Sequence, residues 1–177
     1  SPVITQPPSD TKIIKGRLLQ LTCLVDSKPV ATIRWLFQNL PLQISSKITF
    51  SQNKQELSIG DIGKAEEGMY TCIANNSYGQ KQASATIKIV VPPVRVSMLG
   101  NVVYKINQTA SIPCDVYGDP KPTATWYKDS NIINNPETNT ANSLIISNIQ
   151  ITDEGNYSCQ GVNEAGSAWT NGTLRVK

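Results

Sequence analysis

The sequence predicts an all-β protein made of two successive sandwich domains, residues 1–91 and 92–177. Three observations carry this expectation. The chain says nearly the same thing twice: EEGMYTCIANNSYG at 66–79 and DEGNYSCQGVNEAG at 153–166 share acid, x, Gly, x, Tyr, x, Cys and a Gly seven residues on, at an offset of 87. Apolar and polar residues alternate with period two in several short runs. No segment of useful length keeps a helical period, and clusters of Asn, Gly, Pro and Ser separate the runs.

In chain order, LLQLTC (18–23) alternates and ends on Cys23, and Trp35 follows 12 residues later. Leu57, Tyr70, Cys72 and Gly79 recur at the offset of 87 as Leu144, Tyr157, Cys159 and Gly166. ASATIKIV (83–90) alternates again and closes the first copy. IKIVVPPVRV (87–96) then carries the chain into the second copy, where Pro92 and Pro93 fix φ and favour an extended backbone. ASIPC (110–114) opens the second copy, with Cys114 and Trp126 falling on Cys23 and Trp35 at an offset of 91. The second copy is therefore four residues shorter between its Trp and its later Leu, a difference that a surface loop absorbs. TNGTLRV (170–176) ends it.

Composition narrows the function classes. The chain of 177 residues has a net charge of +3 and no histidine, which removes the commonest catalytic base and the commonest metal ligand together. Four cysteines, widely spaced, do not make a Cys-rich zinc site. Serine and acidic residues are plentiful, yet no activating partner accompanies them, so no enzyme, cofactor or metal is expected. Residues 1–91 carry ten Lys and Arg against six acids, and residues 92–177 carry six against seven. That is no dense basic face, so no nucleic-acid partner is expected. No run of 18 apolar residues occurs, so no membrane contact by this chain is expected, and no signal peptide is visible.

Cys, Trp 12 residues later and then Tyr-x-Cys resembles the immunoglobulin superfamily, and the pattern covers nearly the whole chain twice. The spacing from Trp to the later Leu, 22 and 18 residues, leaves no room for the additional strand pair of a variable domain. With GDPKPTATW (118–126), it is similar to the I-set branch, or Ig-like C2-type, of cell-adhesion molecules, receptor ectodomains, matrix proteins and giant muscle proteins. Glu66 replaces the usual Asp of the tyrosine motif, and WLFQ replaces the more typical WYKD in the first copy. The resemblance implies two tandem immunoglobulin-like β-sandwiches, each with one inter-sheet disulfide. It implies Cys23–Cys72 and Cys114–Cys159 as the bridges, Trp35 and Trp126 packed on them, and Tyr70 and Tyr157 as tyrosine corners. Glu66, Glu67, Asp153 and Glu154 sit at the turn before the tyrosine strand, where local turn hydrogen bonding is expected of them rather than catalysis.

For function, the resemblance implies extracellular protein–protein recognition or cell adhesion by a two-domain fragment of a larger cell-surface or matrix protein. The alternatives are the ligand-binding part of a signalling receptor, a kinase or phosphatase, and a structural spacer in matrix or muscle. The partner would be a protein, bound homophilically or heterophilically. Disulfides and four sequons, at Asn75, Asn107, Asn156 and Asn171, point to the cell surface or a secreted state.

Strand alternation assigns the faces. In the second domain Trp126, Tyr157, Cys159, Leu174 and Val176 should point inward, and Tyr127, Asn156, Ser158, Gln160, Trp169 and Asn171 outward. Exposed Trp169 is a candidate partner contact; the plainer reading packs it on strand neighbours or on its own glycan. In the first domain Arg34, Leu36, Met69, Thr71, Ile73, Gln82 and Ser84 should point outward. Asn75 is expected in the following loop, so Leu36, Met69 and Ile73 would form a bare apolar patch for a partner. Lys12, Lys15 and Arg17 lie in the cluster KIIKGR, where a contact with heparan sulfate or a similar glycosaminoglycan competes with an ordinary solvated turn.

Overall fold

A computed structural model describes residues 1–177. The chain divides into two compact units, Ser1–Val90 and Val91–Lys177. Apart from two 3-10 turns, Lys64–Glu66 and Ile151–Asp153, every regular element is a strand.

Unit one contains β1 (Val3–Gln6), β2 (Thr11–Ile14), β3 (Leu19–Thr22), β4 (Leu24–Asp26), β5 (Thr32–Phe37), β6 (Leu40–Pro41), β7 (Ile48–Phe50), β8 (Glu56–Ile59) and β9 (Gly68–Asn76). Strand β10 (Gly79–Arg95) gives its residues up to Val90 to this unit. One sheet has the order β10-β9-β5-β6, with β2 running parallel to β10. The opposing layer is β3-β8-β7, extended by the pair β1-β4. The N-terminal segment thus serves both sheets: β1 pairs with β4, and β2 crosses to β10 after Pro7 and Pro8, which cannot donate ladder hydrogen bonds.

Alternation puts one side of each strand into the core. Leu19, Leu21 and Cys23 face Leu57, Ile59, Trp35, Tyr70 and Cys72, all nearly inaccessible. Burying each such side chain stabilises the fold by about 1.5–3 kcal/mol before conformational entropy is set against it.

Unit two repeats the plan with β11 (Gly100–Tyr104), β12 (Ala110–Ile112), β13 (Val116–Asp119), β14 (Thr123–Lys128), β15 (Asn131–Ile132), β16 (Leu144–Ile146), β17 (Gly155–Asn163) and β18 (Gly166–Val176). Its larger sheet has the order β11-β18-β17-β14-β15, with β11 parallel to β18. Strands β12 and β16 pair in the opposing layer, and β13 pairs with Val91–Arg95 of β10. Pro92 and Pro93 lie within that extended run. The core holds Ala110, Ile112, Trp126, Leu144, Ile149, Tyr157, Cys159 and Leu174.

The family roles expected of the motif residues are met. Disulfides join Cys23 to Cys72 and Cys114 to Cys159, one per unit. The Trp35 indole donates to the Lys54 carbonyl at 2.8 Å and that of Trp126 to the Asn142 carbonyl at 3.0 Å, so both buried N–H groups are satisfied. The Tyr70 hydroxyl donates to the Glu66 carbonyl and the Tyr157 hydroxyl to the Asp153 carbonyl, each at 2.7 Å. The motif glycine has a backbone reason. Gly68 and Gly155 adopt φ of +148° and +159°, and a Cβ on Gly155 would sit 2.8 Å from an Asp129 carboxylate oxygen.

Candidate recognition site

Two of the four turn carboxylates, Glu66 and Asp153, are bound within the turn as expected. Glu66 accepts the Gly63 N–H at 2.7 Å, and Asp153 accepts the Gln150 N–H at 2.7 Å. Glu67 and Glu154 reach further, to the last strand of their units, where they accept the N–H of Ile89 and of Val176. The Ile89 hydrogen bond, followed by the Lys64 ammonium, holds the Glu67 carboxyl below its ordinary range. Burial, then the neighbouring carboxylates, pushes Tyr70 and Tyr157 up to about 12. Each of these perturbed groups also makes a structural hydrogen bond.

The outer face of β5, β9 and β10 departs from the expected bare patch. Ile73 is only 4% exposed. It sits on the central strand, and its cross-strand partners are Arg34 and Gln82, two long side chains that flank it in the register. Thr71 is buried as well and shares a 2.7 Å hydrogen bond with Ser84. Leu36 and Met69 are half-buried, while Arg34 is exposed. Asn75 is not in a loop. It lies in β9 between Thr32 and Gln80, exposed and on the same face as Ile73, so a sequon does stand on this face. The patch therefore fails on two counts: Ile73 at its centre is buried between long polar neighbours in the register, and the strand runs two residues further than the Asn-Asn-Ser sequence suggests.

Accessible apolar surface in unit one includes the free edge beside β6. Leu36 pairs with Pro41, and Phe37 with Leu40. Beyond this two-residue strand the edge is unpaired, and Leu40 and Ile44 are 68% and 73% exposed. A cavity of about 390 Å³ opens on one side, lined by Phe37, Leu40, Pro41, Leu42, Ile48 and Tyr70. A second, of about 210 Å³, is lined by Arg34, Leu36, Pro41, Leu42, Ile44 and Phe50. Pro41 and Leu42 border both. The signal for this edge was present in the sequence as the alternation Leu40, Leu42, Ile44, but it falls in a stretch that reads as a loop.

In unit two the outward assignment holds for the aromatic pair. Trp169 is 46% exposed and its ring centroid lies 5.2 Å from that of Tyr127. Asn107, Asn156 and Asn171 are all exposed. Lys12, Lys15 and Arg17 are exposed too. Lys12 pairs in register with Lys88 on β10, and Lys15 is bonded through its N–H to Val90, so the cluster extends beyond the KIIKGR run.

The model of the immunoglobulin I-set domain matches residues 2–89 and, again, residues 93–176. The chain belongs to the immunoglobulin I-set family. Among its relatives, contactin-5 of Gallus gallus is 35% identical over 175 residues, 96% of this chain and 17% of that protein. Hemicentin-2 of Mus musculus is 28% identical over 172 residues, covering 94% of this chain and 3% of that one. Neural cell adhesion molecule L1 of Mus musculus is 28% identical over 182 residues, 97% of this chain and 14% of its own length. The chain thus spans a small part of each of these proteins. Among solved structures, the titin I-band fragment I67–I69 aligns with a TM-score of 0.74 at 25% identity, over 99% of this chain and 65% of that one.

Proposed function

We propose that this two-domain I-set chain is a non-enzymatic extracellular recognition module, acting in cell adhesion by binding a protein partner. The observation that supports it most is the 35% identity to contactin-5 over nearly the whole chain, with one disulfide in each unit. Disulfides persist outside the reducing cytosol, which favours a cell-surface or secreted setting. The contact surface we assign is the β6 edge, with Leu36, Leu40, Pro41 and Ile44 as apolar anchors and Arg34 beside them. Exposed apolar groups flanking cavities are the usual anatomy of such anchors. Lys12, Lys15 and Arg17, with Lys88, offer a secondary contact for a sulfated glycosaminoglycan.

The test is sedimentation velocity on the chain secreted from glycosylating cells, over a wide concentration range, alongside binding to cell surfaces. Association that disappears in Leu40→Glu and Ile44→Glu, with both variants still folded, is the expected result. A strict monomer that binds no surface would remove this reading and favour a second one, a structural spacer. That reading draws on the likeness to the titin I-band fragment. A ligand-binding receptor ectodomain shares the first reading's prediction of saturable binding and differs in having a heterologous ligand.

A further inference from the structure

We infer that Asn171 carries an N-linked glycan whose first N-acetylglucosamine stacks on Trp169, with Tyr127 bracing the indole. The inference rests on the extracellular reading above. Its chemistry begins with Asn171-Gly172-Thr173, a sequon in the last strand of unit two. Transfer from a lipid-pyrophosphate oligosaccharide joins Nδ2 of Asn171 to C1 of the sugar. The lipid pyrophosphate leaves, and the amide loses one proton.

The register places the parts. On the outer face of the sheet, Trp169, Gln160 and Thr125 form one cross-strand row, and Asn171, Ser158 and Tyr127 form the next. Trp169 and Asn171 stand on the same side of β18, about 7 Å apart along the strand. Tyr127 lies two strands away from Trp169 and in the other row, yet the ring centroids are 5.2 Å apart. The two rings therefore lean toward each other over the central strand, between the Gln160 row and the row that Asn171 occupies. Ser158 and Gln160, the residues beneath them, are both half-buried. Nearly half of the Trp169 surface stays accessible even so.

A pyranose has one face made of C–H groups. Laying that face on an indole removes apolar area from water on both partners and gains dispersion contacts. The strand holds Asn171 and the Tyr127 ring holds the indole, so little freedom is lost in bringing them together. The other sequons lack this partner. Two residues before each stand buried Ile73, Lys105 and Glu154, the last engaged by the Val176 N–H. Asn107 also has φ of +69° and accepts a hydrogen bond from Gln150.

The experiment uses the full chain secreted from glycosylating cells, with each glycan trimmed enzymatically to its first sugar. Glycopeptide mass spectrometry reads occupancy. Thermal melts compare wild type, Asn171→Gln, Trp169→Ala, Trp169→Phe and the double variant Trp169→Ala with Asn171→Gln. We expect Asn171 to be occupied and wild type to melt about 2–4 °C above Asn171→Gln. That increment should survive in Trp169→Phe and vanish between Trp169→Ala and the double variant, a comparison that cancels any loss of the Tyr127 contact. An upfield shift of the sugar's ring protons in wild type, absent in Trp169→Ala, is the spectroscopic counterpart. An equal increment without the indole overturns the inference. So does an empty Asn171 beside sugar at Asn75, Asn107 or Asn156, although the extracellular reading then stands. Secretion with no sugar at any of the four overturns the inference and removes the glycoprotein part of that reading.

Discussion

The Glu67 carboxylate accepts the backbone N–H of Ile89 at 2.7 Å, tying the tyrosine turn to the strand that ends unit one. The same bond recurs between Glu154 and Val176 at 2.8 Å. It fixes the last strand against the turn from which the Tyr strand departs.

Glu67→Ala should therefore destabilise unit one by about 1 kcal/mol. This is below the usual range for a charged acceptor, because a third of the side chain remains in water. The carboxyl is held below its ordinary value of 4.5, so its contribution is present above that value and is lost as pH falls through the lower folded value. Urea melts of wild type and Glu67→Ala should converge in acid; a constant difference down to full protonation would contradict the assignment.

Tyr70 and Tyr157 behave in the opposite direction. Burial raises both from 10.0 to about 12, so their contribution is complete below 10 and is lost as pH rises toward 12. Tyr70→Phe should cost about 1 kcal/mol at neutral pH, since the Glu66 carbonyl loses its donor, and it should flatten the alkaline limb of the stability curve. Tyrosinate absorbance during an alkaline titration should show a late component that shrinks in Tyr70→Phe.

Ile73 and Ile44 should part company. Ile73→Ala removes a side chain that is 4% exposed and should cost about 2–4 kcal/mol of folding stability. Ile44→Ala acts on a side chain 73% exposed and should shift the melt by less than about 0.5 kcal/mol while weakening partner binding. Paired denaturant melts and binding isotherms separate the two. Equal effects of both variants on stability would contradict the assignment of the β6 edge.

The basic end of unit one makes a salt-dependent prediction. If Lys12, Lys15 and Arg17 hold a sulfated polysaccharide, replacing all three by Ala should lower the salt needed to elute the chain from a heparin column. Their exposure means that binding should also fade in wild type as the Debye length shrinks from about 10 Å at 0.1 M to about 3 Å at 1 M salt. Elution unchanged by the triple substitution would leave the cluster as a solvated turn.

The fold was legible because its determinants are local and repeated. Cys23, Trp35, Tyr70 and Cys72 each impose one geometry, and the second copy restates it. Which side a strand residue faces followed from parity, and parity was right for Ile73: it does point away from the core. What parity could not carry was burial, because that depends on the lengths of Arg34 and Gln82 two strands apart in space and far apart in sequence. Asn75 was misplaced for a related reason. Asn and Ser favour turns, yet the ladder to Thr32 and Gln80 keeps the backbone extended through Asn76. The β6 edge was hidden by its shortness: Leu40, Leu42 and Ile44 alternate, but only Leu40 and Pro41 pair as strand and the rest of the stretch reads as loop.

In each unit the parallel pair, β2 with β10 and β11 with β18, joins a strand near the beginning of the unit to the strand that ends it. A pull applied at the two ends of a unit would act along these strands in opposite senses. Their hydrogen bonds would then carry the tension side by side, as in a lap joint, instead of parting one after another. Each unit is built to resist being drawn out lengthwise, a property that serves a tether between cells as well as it serves a strut.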